Sequence, residues 1–437
     1  MNKQMNKQMN KQMNKQMNKQ MNIFFLGVIS LLATSIATGK TFYVATTGSD
    51  SYTCEQARSS SRAKKTIRAG VKCLLGGDTL IIKSGTYAGP IYNPPPGSPS
   101  AYTIIMGDPS GPRPIIDPQG ELGSSKQESF GFLCTTGSRC SYIELSYVEV
   151  RTALASVKLY GQDSTGYPHH VRIKNNVFHD TISTNVLTST SRTGYLGGDH
   201  LFYGNLFYRT GVGSPGYGPG HNTIYNPGNR TIIEKNTFRN LANGIGIWLS
   251  KHKIQKVTVR NNTFYDIGRS KTDTWLQGNA GFSAVHIDVP GGGHRIYNNI
   301  VYRSGDDFRF AAFKVGNYSG VTGSSSEINY IYNNTVYGLK SPEADTVRVI
   351  TSGTLAAVGT HYIRNNISYL AGKITGGVQS HNLFANPLFT NSTAGIFTLK
   401  SGSPAINKGY TNSIVLSDFA GVARPRGGAF DIGAYEY

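Results

Sequence analysis

The sequence predicts an all-β fold, a right-handed parallel β-helix solenoid closed at its N-terminal end by a capping helix. Composition is the first observation behind this prediction. Of 437 residues, 52 are Gly and 26 are Tyr, and only 15% are charged. That balance suits short strands and tight turns better than a helical bundle, which would be richer in Ala, Leu, Glu and Lys.

An internal repeat is the second observation. Seven segments alternate β-branched or aromatic residues with other residues, end in an Asn position, and continue to Phe, Val or a similar residue. The segments place this Asn at Asn176, Asn205, Asn236, Asn262, Asn299, Asn334 and Asn366, with gaps of 29, 31, 26, 37, 35 and 32 residues. A period in this range is the signature of a repeat architecture. A gap of about 30 residues fits one coil of three short strands, with coils stacked about 4.8 Å apart.

The third observation is the absence of helix-forming segments between the repeats, which argues against a fold of alternating strands and helices. The alternation within each repeat is typical of a half-buried strand. Asn tolerates left-handed backbone and can bond to the Asn of the next coil, so we expect a ladder of stacked amides. Ser146, in SYIELSYV, is expected to take the Asn position of an earlier coil, and the segments that begin at Asp78 and Tyr102 are expected to be the first strands.

One amphipathic helix is predicted over residues 63–75, with Ile67, Val71, Leu74 and Leu75 on its apolar face. It precedes the predicted first strands. Because an open solenoid end exposes unpaired strands, this helix is expected to cap the N-terminal end.

Four cysteines are present, an even number that favours disulfides in a secreted chain. We expect the pairs to be formed by residues close in sequence. The predicted bridges are Cys54–Cys73 and Cys134–Cys140.

Four segments are predicted along the chain. Residues 1–20 repeat Met-Asn-Lys-Gln, and residues 21–37 resemble a secretory signal cleaved after Ala37. The β-helix with its cap should occupy residues 38–370, and an end module residues 371–437. No other stretch is apolar enough to span a membrane, so we expect a secreted, extracellular, monomeric protein.

Charge points to an anionic partner. The formal net charge is +19, and removal of the five lysines in the first 20 residues leaves +14. A strong positive field attracts polyanions, among them acidic polysaccharides, although it also favours solubility. There is no phosphate-binding loop, nucleophile elbow or dinucleotide fingerprint, so nucleotide chemistry is not expected.

At both ends the sequence resembles known β-helix proteins. The runs TFYVATTGSD and GGDTLIIKSGTYAG look like the opening of secreted pectate-lyase-like proteins. The run from NPLF to the closing DIGAYEY is similar to the end module of bacterial β-helix proteins that often precedes a surface anchor. The chain stops at Tyr437 with no anchor segment, from which we expect release. The resemblance implies a polysaccharide partner, but the group includes lyases, epimerases, hydrolases and plain binders.

A candidate site follows from the second strand of each coil. If the aliphatic residues of these strands point inward, their alternation turns the intervening residues outward, where stacked coils bring them side by side. A one-residue slip of register would bury the whole set instead. The predicted outer face holds Lys158, Thr223, Tyr225, Trp248, His286, Asp288 and Lys314.

The residue types on this face suit β-elimination on a uronic-acid polymer. That reaction needs a base, a cation on the carboxylate and a proton for the leaving oxygen. Lys314 and His286 are the candidate bases, Tyr225 is a candidate acid, and His221 could reach the groove from a Gly/Pro-rich loop. Substrate-binding residues are predicted as Trp248, Arg309, Lys158 and Asp288, and Asp306 and Asp307 could ligate Ca²⁺ as a cofactor.

Other readings remain open at this stage. Lys314 could be an ordinary surface lysine, His286 a packed histidine, and Asp306-Asp307 a turn. The leading hypothesis is a lyase acting on an acidic polysaccharide. The alternative is a non-catalytic β-helix that binds polysaccharide or mediates adhesion. A glycoside hydrolase is less favoured, because paired carboxylates are not evident on the outer face. A uronate epimerase is also less favoured.

Overall fold

The structure is a computed structural model, and residues Lys40–Tyr437 form one compact unit. The described residues are 39–119, 129–135, 139–160, 167–189, 197–211, 222–241, 245–249, 254–268, 283–288, 292–305, 310–316, 328–341, 343–350 and 359–437. The predicted repeats at residues 1–20 and signal at residues 21–37 lie outside them. None of the described helices is both long and apolar enough to cross a membrane.

Parallel pairing of successive coils builds the molecule, as predicted for a right-handed β-helix. Each coil crosses sheet 1, then sheet 2, then sheet 3, and the described strands number twelve, ten and ten in these sheets. Sheet 1 contains Thr41–Val44, Thr79–Ile82, Thr103–Gly107, Ser141–Ser146, His169–Lys174, Leu201–Tyr203, Ile232–Glu234, Thr258–Arg260, Arg295–Tyr297, Asn329–Tyr332, His361–Arg364 and Val378–Ser380.

Among the described strands, those of sheet 2 are the shortest on average. Sheet 2 contains Thr86–Tyr87, Ile115–Ile116, Glu149–Arg151, Val177–Thr181, Leu206–Thr210, Thr237–Arg239, Thr263–Tyr265, Ile300–Tyr302, Thr335–Tyr337 and Ile367–Tyr369. Sheet 3 contains Ile91–Tyr92, Phe130–Cys134, Ala155–Tyr160, Val186–Ser189, Ile224–Tyr225, Ile245–Leu249, Ser283–Asp288, Ala311–Gly316, Asp345–Val349 and Ile374–Thr375. The strands predicted to carry the site all belong to sheet 3.

The two residues of each Asn pair have different roles, one in the turn and the other in the amide ladder. The first, such as Asn298 or Asn333, adopts the left-handed conformation that turns the chain from sheet 1 to sheet 2. The second forms the predicted ladder. For example, the Asn262 amide nitrogen donates to Oδ1 of Asn299 at 3.0 Å and to the Ile233 carbonyl at 2.8 Å. The ladder therefore satisfies polar groups that are buried in the centre of the solenoid.

Packed rings run beside this ladder. Phe178, Phe207, Phe238 and Phe264 stack inside sheet 2 with centroids 5.2, 5.0 and 4.5 Å apart. They occupy the second position after the ladder Asn in four successive repeats. Identical side chains in successive coils thus form the Asn ladder and the Phe stack. This is why the repeat can be recognised in the sequence.

Two expectations about the first coils were wrong. Ser146 does not take the Asn position, because it pairs with Lys174 in sheet 1. The ladder position of that coil is Val148, whose backbone N–H donates to Oδ1 of Asn176 at 3.0 Å. The first strand is Thr41–Val44, ahead of the helix rather than after it. At the other end the ladder gains a step that was not predicted, since Asn382 accepts from Asn366.

The capping helix is present but shorter than predicted. It spans Ile67–Val71, begins at Thr66, whose hydroxyl accepts from the Ala69 N–H, and buries Ile67 and Val71. Leu75 lies beyond it and is 71% exposed, so its place on the apolar face was wrong. Both predicted disulfides form, Cys54–Cys73 beside the helix and Cys134–Cys140 at the third sheet.

The C-terminal residues wrap the last coils. Phe389 and Phe397 pack on the outer tyrosines of sheet 2, while Val415 and Phe430 pack on those of sheet 1. Turn residue Asn333 donates to the Asp431 carbonyl at 3.0 Å, which fixes the segment to the solenoid. The last strands of sheets 3 and 1, Ile374–Thr375 and Val378–Ser380, lie beyond residue 370, where the end module was predicted to begin.

Candidate functional site on the third sheet

Sheet 3 aligns the outward residues of its strands in one column, which we call the site column. Strand pairing places Lys158 next to Leu187, Leu187 next to Tyr225, and Tyr225 next to Trp248. The column continues with Trp248 beside His286, His286 beside Lys314, and Lys314 beside Arg348. The register inferred from the alternation therefore agrees with the structure. Five predicted residues share this column: Lys158, Tyr225, Trp248, His286 and Lys314.

Aromatic contacts hold the middle of the site column. The Trp248 ring stacks on the His286 ring with centroids 5.7 Å apart and an angle of 18°. Tyr225 meets the other side of Trp248 at 5.2 Å in a tilted contact. Trp248, His286 and Lys314 are 9, 1 and 4% exposed, whereas Tyr225 and Lys158 are partly exposed. The centre of the site column is therefore buried, which the prediction of an outer face did not anticipate.

His286 is electrostatically unusual. Neither ring nitrogen makes a hydrogen bond of ordinary geometry with a described residue, although the Gly316 backbone lies near the ring. Burial, and then the charge of Lys314, hold the pKa of His286 well below its ordinary value. The imidazole is therefore neutral at physiological pH and able to accept a proton. A buried polar side chain without a strong partner needs an explanation, and a ligand or a catalytic role supplies one.

Two other buried histidines, His200 and His294, differ from His286. Nδ1 of His200 accepts the Val171 N–H at 3.1 Å, and Nδ1 of His294 accepts the Val257 N–H at 3.2 Å. Both sit at strand starts in sheet 1 and serve the backbone ladder. Burial lowers the pKa of each to about 3, so they too are neutral, but with a structural task.

Distances along the column divide its residues into two groups. Coils lie about 4.8 Å apart, so His286 and Lys314 are neighbours, while Tyr225 is two coils, or about 10 Å, from His286. The Trp248 ring lies between Tyr225 and His286. Lys158 is four coils, or about 19 Å, from His286, and so cannot act on the same bond.

Arg348 is the functional candidate that sequence reasoning missed. It is paired with Lys314 across the strands and held by Asp345 through an ion pair to Nε. Its strand, Asp345–Val349, is the next strand of sheet 3, and the alternation that selected Lys314 also turns Arg348 outward. The alternation in the sequence therefore predicts an outward Arg348 one coil beyond Lys314, although Arg348 was not among the predicted site residues.

Five predicted site residues remain: Asp288, His221, Arg309, Asp306 and Asp307. Asp288 ends the strand of His286, and its backbone pairs with that of Gly316. His221, Arg309, Asp306 and Asp307 lie outside the described residues, and the predicted Ca²⁺ site with them stays a prediction. Within the described part of the chain, no group of three or more His, Cys, Asp or Glu could hold a metal ion.

Comparison with known proteins reveals similarity in structure alone. No family model and no curated protein matches the sequence. The structure is similar to that of pectate lyase Pel9A, with a TM-score of 0.59 and 18% identity over 92% of this chain and 97% of that one. An alginate lyase from Paenibacillus sp. matches with a TM-score of 0.51 and 18% identity over 73% and 97% of the two chains.

A third structure, a complex of XylC with xylose, matches with a TM-score of 0.54 and 12% identity over 90% and 98% of the chains. At these identities the matches establish the parallel β-helix fold. Activity has to be argued from the site column itself.

Proposed function

We propose that this protein is a secreted polysaccharide lyase that cleaves a uronate-containing polymer by β-elimination at the site column. The observation that carries the proposal is the neutral, buried His286 with the cationic side chains of Lys314 and Arg348 on the next two coils. A base next to two cations is what removal of a proton beside a carboxylate requires. The two disulfides support secretion, because such bonds persist in oxidising compartments.

In this mechanism Lys314 and Arg348 bind the uronate carboxylate and stabilise the negative charge that develops on it. The His286 imidazole takes the proton from the carbon next to the carboxylate. The bond from the neighbouring carbon to the glycosidic oxygen breaks as a carbon–carbon double bond forms. The imidazolium then returns its proton to the leaving oxygen, so the protons balance without a further group.

Trp248 and Tyr225 are assigned to sugar binding. Their rings are amphipathic surfaces on which a pyranose ring can pack. At two coils from His286, Tyr225 contacts the neighbouring sugar more readily than the reacting atoms. Its predicted role as acid is tested by Tyr225→Phe, which should raise KM with little change in kcat. A tenfold or larger fall in kcat would instead restore the acid role.

The direct test is absorbance at 235 nm, where the unsaturated uronate product absorbs. The chain from residue 38 is incubated with pectate, alginate and glycosaminoglycans, with and without Ca²⁺. We expect a rise on at least one polymer, lowered about 10²–10⁴-fold in His286→Ala and in Lys314→Ala. A flat trace on every polymer would overturn the lyase proposal, and binding assays on the same polymers would then test the non-catalytic alternative.

The pH profile separates the two candidate bases. Because the pKa of His286 is held well below 6.5, a His286 base predicts activity that persists below pH 6 and falls only in more acid solution. A Lys314 base predicts activity that rises through the alkaline range as the ammonium loses its proton. Lys314→Arg keeps the cation, so it should retain part of the activity only if Lys314 is not the base.

A further inference from the structure

The N-terminal end of the site column carries a second cationic group, well separated from His286. Lys158 Nζ lies over the Phe130 ring at 4.7 Å and over the Tyr160 ring at 5.4 Å. Tyr92, two coils earlier in the same column, has the Arg68 guanidinium above it at 5.9 Å. We call Arg68, Tyr92, Phe130, Lys158 and Tyr160 the remote platform.

Lys158 differs from the ion-paired cations of the solenoid. It is partly buried, and no carboxylate among the described residues pairs with it. Arg151, Arg209 and Arg303, by contrast, each form an ion pair with an Asp. Burial lowers the pKa of Lys158, which reflects the cost of holding an ammonium between two rings. An anion bound there would offset that cost.

The occupant is constrained by position. Lys158 lies on the site column with the proposed base His286 and its neighbour Lys314, about 19 Å from the first and about 24 Å from the second. Between them stand Leu187, Tyr225 and Trp248, an apolar and aromatic floor without charge. A ligand that uses both cationic ends must be extended, must present rings to the floor, and must carry acidic groups separated by several units.

We infer that the remote platform is a distant anion subsite, which makes the protein selective for long acidic polysaccharide chains bound along the solenoid axis. This inference rests on the proposed function for its link to turnover, but binding at the platform can be measured without turnover. A carboxylate that pairs with this partly buried ammonium is screened less by water than one at an exposed lysine, so the contact adds affinity for a chain that spans both ends.

Chain length provides the test. Lys158→Ala should raise KM about tenfold on a long polymer of the cleaved uronate and leave kcat unchanged. On a tetramer too short to span the column, the same variant should match the wild type. Lys235→Ala is the matched control, because Lys235 Nζ lies over the Tyr203 ring at 5.5 Å on sheet 1, away from the column. This control should leave both substrates unaffected.

Affinity electrophoresis in gels containing pectate or alginate supplies the second readout, with wild type, Lys158→Ala, Lys235→Ala and His286→Ala compared. Retardation lost in Lys158→Ala and kept in His286→Ala supports the subsite, even if every turnover assay is flat. Equal behaviour of Lys158→Ala and Lys235→Ala on long chains would overturn the inference and leave the lyase proposal standing. An equal loss on the tetramer and the polymer would also overturn it, since Lys158 would then act without regard to length.

Discussion

The outer columns of sheets 2 and 3 use similar residue types in opposite ways. On sheet 2, His179 is bracketed by two carboxylates, with Nδ1 2.5 Å from Asp180 and Nε2 3.1 Å from Glu149, and its ring stacks on Tyr208 at 4.6 Å. On sheet 3, His286 also stacks on an aromatic ring but has a lysine as its charged neighbour. A histidine that is bonded to carboxylates on both ring nitrogens indicates a structural column. A histidine beside a cation favours a column that binds an anionic ligand.

The largest expected effect separates function from stability at these two histidines. His286→Leu should lower lyase activity about 10²–10⁴-fold while leaving the free energy of unfolding unchanged or slightly raised, because a buried polar group without a strong partner is removed. Activity and urea unfolding would be measured on the same preparations. A loss of several kcal/mol of stability in His286→Leu would show that the imidazole is a structural group.

His179→Leu is the matched change on sheet 2. It removes the partner of Glu149 and Asp180, so we expect it to lower stability by about 1–3 kcal/mol with activity retained. If His179→Leu abolished activity without a change in stability, the contrast between the two columns would be inverted.

The next effect concerns the asparagine ladder, which lies in the interior at the turn between sheets 1 and 2. Asn262 is fully buried and bonds to Asn299 and to two backbone carbonyls. Asn262→Ala should destabilise the chain by about 2–4 kcal/mol, because several buried partners lose their hydrogen bonds at once. Thermal and urea unfolding measure this. Asn382→Ala, at the partly exposed end of the ladder, is the control and should cost less than half as much.

This ladder also shows where sequence reasoning succeeds. A structural column demands the same side chain in every coil, so the pattern repeats and its period gives the fold, the strand order and the register. The register in turn placed Lys158, Tyr225, Trp248, His286 and Lys314 on one face. Function, in contrast, is carried by residues that differ from coil to coil. Sequence alone therefore could not tell that His286 is buried beside Lys314 or that Tyr225 lies beyond Trp248.

The first coils mark the limit of the periodic argument. Ser146 was placed by counting back 30 residues from Asn176, yet the ladder position is Val148. Coils vary in length at their turns, so a spacing extrapolated past the last clear Asn has no anchor. The helix was overextended for a related reason, since Leu74 and Leu75 continue the apolar pattern after the chain has already turned towards sheet 1.

A smaller effect is expected from the structural histidines as the pH falls. The pKa of His294 is about 3 in the folded protein and about 6.5 when unfolded, so below pH 6.5 the unfolded state binds more protons. Stability is therefore lost as the pH falls from about 6.5 towards 3, by about 1.4 kcal/mol per pH unit for this residue. His294→Asn should flatten that slope, because Asn does not titrate. The substitution should also keep the backbone hydrogen bond, since Asn329 makes the same kind of bond in the next coil by accepting the His294 N–H at 2.9 Å.

Urea unfolding at pH 7, 6 and 5 would measure the difference between His294→Asn and the wild type. Carboxylates contribute equally to both proteins, so the difference isolates the histidine. An unchanged slope would mean that His294 is protonated in the folded state as readily as in the unfolded one.

The smallest effect tests whether the charges of sheet 2 matter at all. Arg303 pairs with Asp266 at 3.0 Å and is about half exposed, and water screens such a pair. Arg303→Ala should change stability by less than about 1 kcal/mol and leave activity and polymer binding unaltered. Arg348→Ala, the corresponding loss of an Asp-paired arginine on sheet 3, should lower activity at least tenfold with a similarly small change in stability. Both variants lose one positive charge, so net charge cannot explain a difference between them. Equal activity in the two would remove Arg348 from the site and leave Lys314 to bind the carboxylate alone.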